Sequence, residues 1–414
     1  MKIKRIFGRE ILDSRGNPTV SCSIVLDNDD IITAAVPSGA SVGKHEAVEL
    51  RDGDERRFGG KGVLKALHNL TTVIAPVLIG KEPDVVMMDK ELIALDGTAT
   101  KSRLGANALL AASCAVIRAQ AHVQKVELYE LINALWNFEK PTLPRCMFNI
   151  INGGLHAQSG LCVQEFMVVP QGSDYVTRLE SATVLYHRLK KILMQRGYAT
   201  GIGDEGGFAP RFTQTGIARE KAALDVLVEV AAQSSHKVDI ALDVASSSFY
   251  DEKHNLYQLH DEDYRSEELV TWYEELARSY PLISLEDGCA EDDWDAWSLL
   301  TKKLGNKVQL VGDDIFVTNT QRIQEGKQRS VATAVLIKPN QIGTVSETIE
   351  AIKLCKKLGY KTVISHRSGE TNDDFIADLA VGTAAGQLKS GAPVRGERVA
   401  KYNRLWEIAV TLEG

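Results

Sequence analysis

Beyond residue 235 the chain alternates between short apolar runs and amphipathic stretches. The apolar runs end at "DIALDVA", "LISLEDG", "QLVGDDI", "AVLIKPN" and "TVISHRSG". Between them, Leu269, Trp272, Tyr273 and Leu276 recur at helical spacing within Ser266 to Tyr280. Thr344 and Glu347 have the spacing of a capping box, and Gly359 stands where that helix should stop. Repeated strand–helix units of this kind predict a parallel sheet, open or closed into a barrel. The first third of the chain reads differently. Thr19 to Val36 gives two strand-like runs around a turn at Asp27 to Asp30, and helical stretches follow near residues 61–79, 84–95 and 103–124. Strands followed by helices predict an α+β unit. The two prolines of "EKPTLPRC" (Glu139 to Cys146) predict a linker. We therefore expect a smaller N-terminal α+β domain over 1–138 and an α/β domain over 139–414.

Composition narrows the functional classes. A chain of 414 residues with 44% hydrophobic and 25% charged positions can build a substantial core, and its length suggests two domains. Lys plus Arg number 48 against 55 Asp plus Glu, a net charge of −7, which argues against nucleic acid as the main partner. A local basic pocket for an anion remains compatible with that balance. The start "MKIKRIFGREIL" lacks the apolar core of a signal peptide. Ala106 to Gln120, the most apolar helical segment, is too short and too interrupted to span a bilayer. Six cysteines, at 22, 114, 146, 162, 289 and 355, form no CxxC pair, as expected for free thiols in a reducing cytoplasm.

The chemistry concentrates where the strands end. Asp243, Glu286, Asp313, Lys338 and His366 each close one apolar run, and Lys389 closes a sixth in "GQLKSGAP". From Glu286 onward they stand about one strand–helix unit apart; the longer interval from Asp243 to Glu286 leaves room for an insertion. If the strands form a barrel, all six side chains emerge at its C-terminal rim. Asp243, Glu286 and Asp313 offer only hard oxygen ligands, which favours Mg²⁺ or Mn²⁺ over zinc. Lys338 has two readings: a snorkelling side chain with its ammonium in water, or a buried amine that loses its proton and acts as a base. A charged Lys389 can steady negative charge on a substrate. In "SHRSG", Arg367 and Ser368 suit a phosphate or carboxylate. "GIGDEGGFAP" holds Asp204 and Glu205 among four glycines, either a surface turn or a carboxyl group brought close to a ligand by a backbone without bulk. "NGGLHAQSGLCVQEF" carries His156 and, nine residues on, Glu165.

These motifs occur in one order. "DSRGNPTV", "VPSGAS", "NGG.H…QEF", "GDEGGFAP", "ALDVASS", "EDG", "GDD", "IKPNQIGT", "SHRSGET" and "K.GAP.R…..KYN" together resemble the enolases, from Arg9 to about Leu405. A lysine or histidine base with one or two Mg²⁺ ions is the known arrangement of that superfamily's sites. The resemblance implies an α+β domain packed on a variant eight-stranded α/β (TIM-like) barrel that opens with antiparallel strands. It implies Mg²⁺-dependent dehydration of 2-phosphoglycerate to phosphoenolpyruvate, in a cytoplasmic homo-oligomer, usually a dimer. Lys338 resembles the base that removes the C2 proton, and Glu205 the acid that protonates the departing C3 hydroxyl, with Glu165 in support. Asp243, Glu286 and Asp313 resemble the ligands of a first Mg²⁺. Ser41 resembles a ligand of a second, shared with the substrate phosphate. Gln164, Arg367, Ser368, Lys389 and His156 resemble the substrate contacts, and His366 lies beside them at the rim. The chain departs from the common pattern at Val42, Lys44, Gln158, Ser159, Ser248, Pro339 and Ser390. None removes a catalytic group. Lys44 raises the alternative of a paralogue acting on a related phosphorylated or phosphonate carboxylate with an extra negative group. A non-catalytic binding protein derived from an enzyme is a further alternative, against which the intact acids and lysines weigh.

Overall fold

The computed structural model describes residues 1–39 and 43–413. Strands β1 (Ile3–Leu12), β2 (Pro18–Leu26) and β3 (Ile31–Ala35) form an antiparallel sheet with β2 in the centre. Every residue of β2 is buried, whereas β1 is an edge strand of mixed exposure. That mixture hides β1 from a periodicity reading, because its residues follow no clean inward–outward alternation. Helices α1 (Leu64–Asn69) and α2 (Ala75–Leu78) are joined through a π turn at Leu70–Ile74, and together they fill the stretch expected near 61–79. Then come α3 (Val85–Asp96), α4 (Ala106–Gln124) and α5 (Leu128–Trp136). Helix α4 is buried on nearly every side. It packs against β2 and β3 on one side and reaches α11 of the barrel, described below, on the other. Its alanines suit that position, since small side chains let two layers approach one helix closely.

The second unit is a closed barrel of eight strands. Chain order gives β4 (Arg145–Asn152), β5 (Glu165–Pro170), α6 (Tyr175–Gln195), α7 (Ala218–Ala231) and β6 (Val238–Asp243). A small antiparallel meander, β7 (Tyr250–Asp251), β8 (Leu256–Leu259) and β9 (Glu262–Tyr264), is the insertion in the long interval before Glu286. Regular units follow: α8 (Ser266–Ser279), β10 (Leu282–Glu286), α9 (Trp294–Leu304), β11 (Gln309–Gly312), α10 (Thr320–Gln328), β12 (Ala334–Ile337), α11 (Val345–Leu358), β13 (Lys361–Ser365), α12 (Phe375–Gly382), β14 (Gly386–Lys389) and α13 (Gly396–Glu413). Pairs β4–β5 and β5–β6 are antiparallel, and every other pair in the barrel is parallel. The fold class expected above, a variant barrel with a smaller unit of strands and helices before it, is the one observed. The expected linker is one pair of residues too long, because Arg145 and Cys146 already belong to β4.

The barrel interior is a small apolar plug of Met147, Met167, Val169, Ala241, Val311, Ala334, Leu336 and Val363. Side chains alternate across a strand, so each inward residue fixes the next inward position two residues on. In β12 the inward row is Ala334, Leu336 and then Lys338; in β6 it is Ala241 and Asp243. Val311 leads in the same way to Asp313, Val363 to Ser365, and Met167 back to Glu165. A bulge in β10 between Leu282 and Ser284 reverses the parity of that strand, pairing Ser284 with inward Ala241 and Glu286 with Asp243, and so puts Glu286 on the inward row. The charged residues thus occupy the layer above an apolar plug as a consequence of a period of two.

The N-terminal unit is tied to the rim by backbone and charge. Ser38 and Gly369 exchange backbone hydrogen bonds of 2.7 and 3.0 Å. Lys101 Nζ lies 2.7 Å from Glu347 Oε1 in the first turn of α11. Thr344 caps that helix: its Oγ1 accepts the Glu347 amide at 3.2 Å, and Gly359 ends it at φ +79°. Replacing Thr344 by Ala removes the cap and should destabilise the protein by about 1 kcal/mol. A lowered urea midpoint at unchanged slope is the expected result.

Candidate active site

The backbone aims Lys338 before any charge does. Its neighbour Pro339 disfavours the helical region for the preceding residue, and Lys338 sits at φ −126°, ψ 108°. The Thr318 hydroxyl accepts its amide at 2.9 Å. The amine donates a short hydrogen bond to Asp313 Oδ2, whose other oxygen accepts Gln341 Nε2 at 2.9 Å. Burial pulls the Lys338 amine down, but the Asp313 carboxylate outweighs it and leaves the group above its ordinary value. The adjacent carboxylate favours the charged amine, because its Coulomb attraction exceeds the desolvation penalty.

Lys389, at the end of β14, is surrounded by acids. Its Nζ lies 2.8 Å from Glu286 Oε1 and 3.2 Å from both Asp243 Oδ2 and Glu165 Oε1. Burial works against its charge, yet Asp243, Glu165 and Glu286 raise it well above the usual lysine range. Gln164 Nε2 stands 3.4 Å from the same Asp243 oxygen. Asp287, one residue past β10 at φ +42°, accepts the amides of Asp313 and Asp314 at 2.8 and 3.0 Å and holds that turn against the rim.

Glu205 faces the opposite wall. Gly203 and Gly207 lie against Asn152 so closely that a Cβ at either position would stand 2.8 Å from an Asn152 side-chain atom, and Gly206 adopts φ +87°. These glycines bring Glu205 inward, to line the cleft. Asn149 Nδ2 donates to Glu205 Oε2 at 3.0 Å, and His366 Nε2 lies 3.3 Å from Oε1. His156 Nδ1 lies 3.7 Å from Glu205 Oε1 and 3.9 Å from Glu165 Oε1. Burial lowers His156 and takes His366 down to about 3, so both rings are neutral. Arg398, fully buried, places a guanidinium nitrogen 2.6 Å from His366 Nδ1. That nitrogen therefore accepts, and the His366 proton sits on Nε2, facing Glu205. Burial, followed by the Glu205 charge, pushes Glu165 well up. For Glu205 burial also raises, but the hydrogen bond from His366 and the charge of Arg398 outweigh it and hold the group down.

One cleft contains His156, Gln164, Glu165, Glu205, Asp243, Asp313, Lys338, His366, Arg367, Ser368 and Lys389. Glu286 joins them through Lys389. Ser41 and Val42 lie outside the described residues. Arg367 lines the cleft, with its guanidinium forked onto Glu46, Nη1 to Oε2 at 2.8 Å and Nη2 to Oε1 at 3.2 Å. Lys44 is committed elsewhere, 3.3 Å from both Glu252 and Asp292. Sequence reading did not single out Asn149, Glu46, Gln341, Asp287 or Arg398. Asp287 had a signal in the doubled acid of "LEDG", and Gln341 stands three residues after Lys338, whereas Asn149, Glu46 and Arg398 act on residues distant in the chain and have no local one.

The donor set fits a hard divalent cation. Asp243, Glu286, Asp313, Glu165 and Glu205 crowd round two lysines in a buried space, and burial with the neighbouring acids pushes Glu165 and Glu286 well up, a strain that a divalent cation would relieve. Glu286 Oε2 and Glu165 Oε2 are buried without a hydrogen-bond partner. Asp287, Asp313 and Asp314 each place a carboxylate oxygen within 4.8 Å of the others. Oxygen donors of this kind suit Mg²⁺.

Among the described residues no helix is long and apolar enough to cross a membrane. Two family models match the chain: "Enolase, N-terminal domain" over residues 3–132 and "Enolase, C-terminal TIM barrel domain" over residues 140–413. With the barrel, the antiparallel opening strands and the acid–lysine rim already in place, these matches settle the ancestry: the chain belongs to the enolase family, whose members are lyases.

Proposed function

We propose that the chain dehydrates 2-phosphoglycerate to phosphoenolpyruvate as a phosphopyruvate hydratase of glycolysis and gluconeogenesis. The observation that carries this reading is the placing of Lys338 and Glu205 in one cleft, with a ring of carboxylates and Lys389 between their strands. A C2 proton beside a carboxylate is a very weak acid, because its removal builds a second negative charge there. Mg²⁺ ions held by Asp243, Glu286 and Asp313, with Ser41 as a ligand of a second ion, would offset that charge and relieve the hold of Asp313 on the Lys338 amine. Mn²⁺ could serve in the same place.

Lys338, once relieved of Asp313, gives its own proton to solvent and as the neutral amine takes the C2 proton, and the electron pair of that bond moves into the substrate carboxylate. Lys389, which stays charged, faces the developing negative group. In the second step the pair returns to form the C2–C3 double bond, and the C3 hydroxyl leaves as water with a proton from Glu205. Glu165 stands in support across His156, and His366 Nε2–H steadies the Glu205 carboxylate once the proton has gone. Arg367, Ser368 and Gln164 bind the anionic ends of the substrate, with Glu46 fixing the Arg367 fork.

The paralogue reading needs a free positive charge at Lys44, and that amine already pairs with two acids. It therefore has less support than the ordinary substrate. In keeping with the family, we place the protein in the cytoplasm as a homo-oligomer, with a boundary between its two domains at 138/139.

Two measurements test the reading. The chain should generate phosphoenolpyruvate absorbance from 2-phosphoglycerate with Mg²⁺ and lose it in chelator; no product with Mg²⁺ present refutes the assignment. Lys338→Ala should lose solvent exchange of the C2 proton together with turnover, by at least about 10²–10⁴-fold. Glu205→Gln should retain exchange and lose dehydration by a similar factor. Equal loss of both in Glu205→Gln contradicts the division of roles.

A further inference from the structure

Outside the rim, a second group of ligand-type side chains meets on the barrel flank. Cys162, Glu220 and His260 each place one ligand atom within 4.8 Å of the other two. They come from three separate elements: the loop that precedes β5, the first turn of α7, and the β8–β9 turn. Cys162 is partly exposed, His260 shows 9% of its side chain, and Glu220 is fully buried. His260 Nε2 lies 2.8 Å from Glu220 Oε2, and Glu220 Oε1 accepts the Cys162 amide at 2.8 Å. The His260 amide donates to Cys162 Sγ at 3.3 Å, the contact a metal-bound thiolate accepts from backbone. His260 reaches this position at φ +57°, in the left-handed region, within a two-residue hairpin turn.

We propose that Cys162, Glu220 and His260 form a binding site for one borderline divalent metal ion, Zn²⁺ in kind, distinct from the oxygen-lined rim. One sulfur, one nitrogen and one oxygen leave a fourth tetrahedral position for water. The same donors discriminate against Mg²⁺, which prefers an all-oxygen set. On binding, the Cys162 thiol gives its proton to solvent, and the His260 Nε2–H that bridges to Glu220 gives way to a metal–nitrogen bond, with the ring proton on Nδ1. The ion ties three elements at one point. Cys162 stands two residues before Gln164 and three before Glu165, and the same loop carries His156, so an occupied site pins the segment that presents three residues of the cleft. The other five cysteines are buried, and among the described residues none belongs to such a group.

Cobalt makes the site visible, because only a cysteine ligand gives a thiolate-to-Co²⁺ charge-transfer band. The reduced full chain, in excess Mg²⁺ to fill the oxygen sites, should develop that band with one equivalent of Co²⁺ and lose it on adding Zn²⁺. Cys162→Ala should abolish the band, and His260→Gln should weaken Co²⁺ binding by about tenfold or more, both with unchanged far-ultraviolet circular dichroism. Zn²⁺ should also protect Cys162 from iodoacetamide in the wild-type chain. No band in the wild type, a band that survives Cys162→Ala, or alkylation indifferent to Zn²⁺ overturns the proposal. Each arm reads the flank site alone, so none depends on the rim chemistry.

Discussion

Everything at the rim depends on one constraint: buried charges can be tolerated only in each other's company. The inward rows of the barrel strands end in acids and lysines directly above an apolar plug. At that depth water cannot solvate them separately, so Lys389 collects Asp243, Glu165 and Glu286, and Lys338 takes Asp313. Acids outnumber lysines in this layer, and the remaining deficit suits divalent cations. A structure stabilised by its own ion pairs is thus one in which an incoming cation and an anionic substrate can rearrange the pairing without moving the strands.

The supporting residues keep that layer in register. Asp287 holds the turn after β11 by its two backbone amides. Arg398 binds the ring of His366 and the carbonyls of Arg367, Ser368 and Asp204 at once. A neutral His366 with its proton on Nε2 follows from that contact and from burial together. Glu46 reaches over from the N-terminal unit to fix Arg367, so the smaller unit contributes to the cleft as well as covering the barrel. The two units share further ties at Ser38 with Gly369 and at Lys101 with Glu347, and their relative position is in this way part of the site geometry.

Much of this was legible in the chain. Strand ends closed by Asp243, Glu286, Asp313, Lys338 and Lys389 are local features, and the alternation of the strands turns them into one inward layer, with His366 one residue past the inward Ser365. The capping pair Thr344 and Glu347 and the stop at Gly359 are equally local. Closure of the sheet and the reversed direction of β5 were not, since both depend on which distant strands pair. Periodicity also missed β1, whose exposure is irregular. The pairing of Lys338 with Asp313 was not legible either: burial alone favours a neutral amine, and only the position of Asp313, fixed by the third dimension, opposes it. The pairing of Glu205 with Asn149 lay beyond sequence for the same reason.

The central claim is that surplus carboxylate charge on the inward row is what binds divalent cations. Calorimetric titration of Mg²⁺ into the full chain and into Glu286→Gln tests it most directly, with Asp243→Asn as a second variant. The account predicts saturable binding to the wild-type chain and a loss of affinity of at least about tenfold in each variant. Equal Mg²⁺ affinity in all three proteins would contradict it.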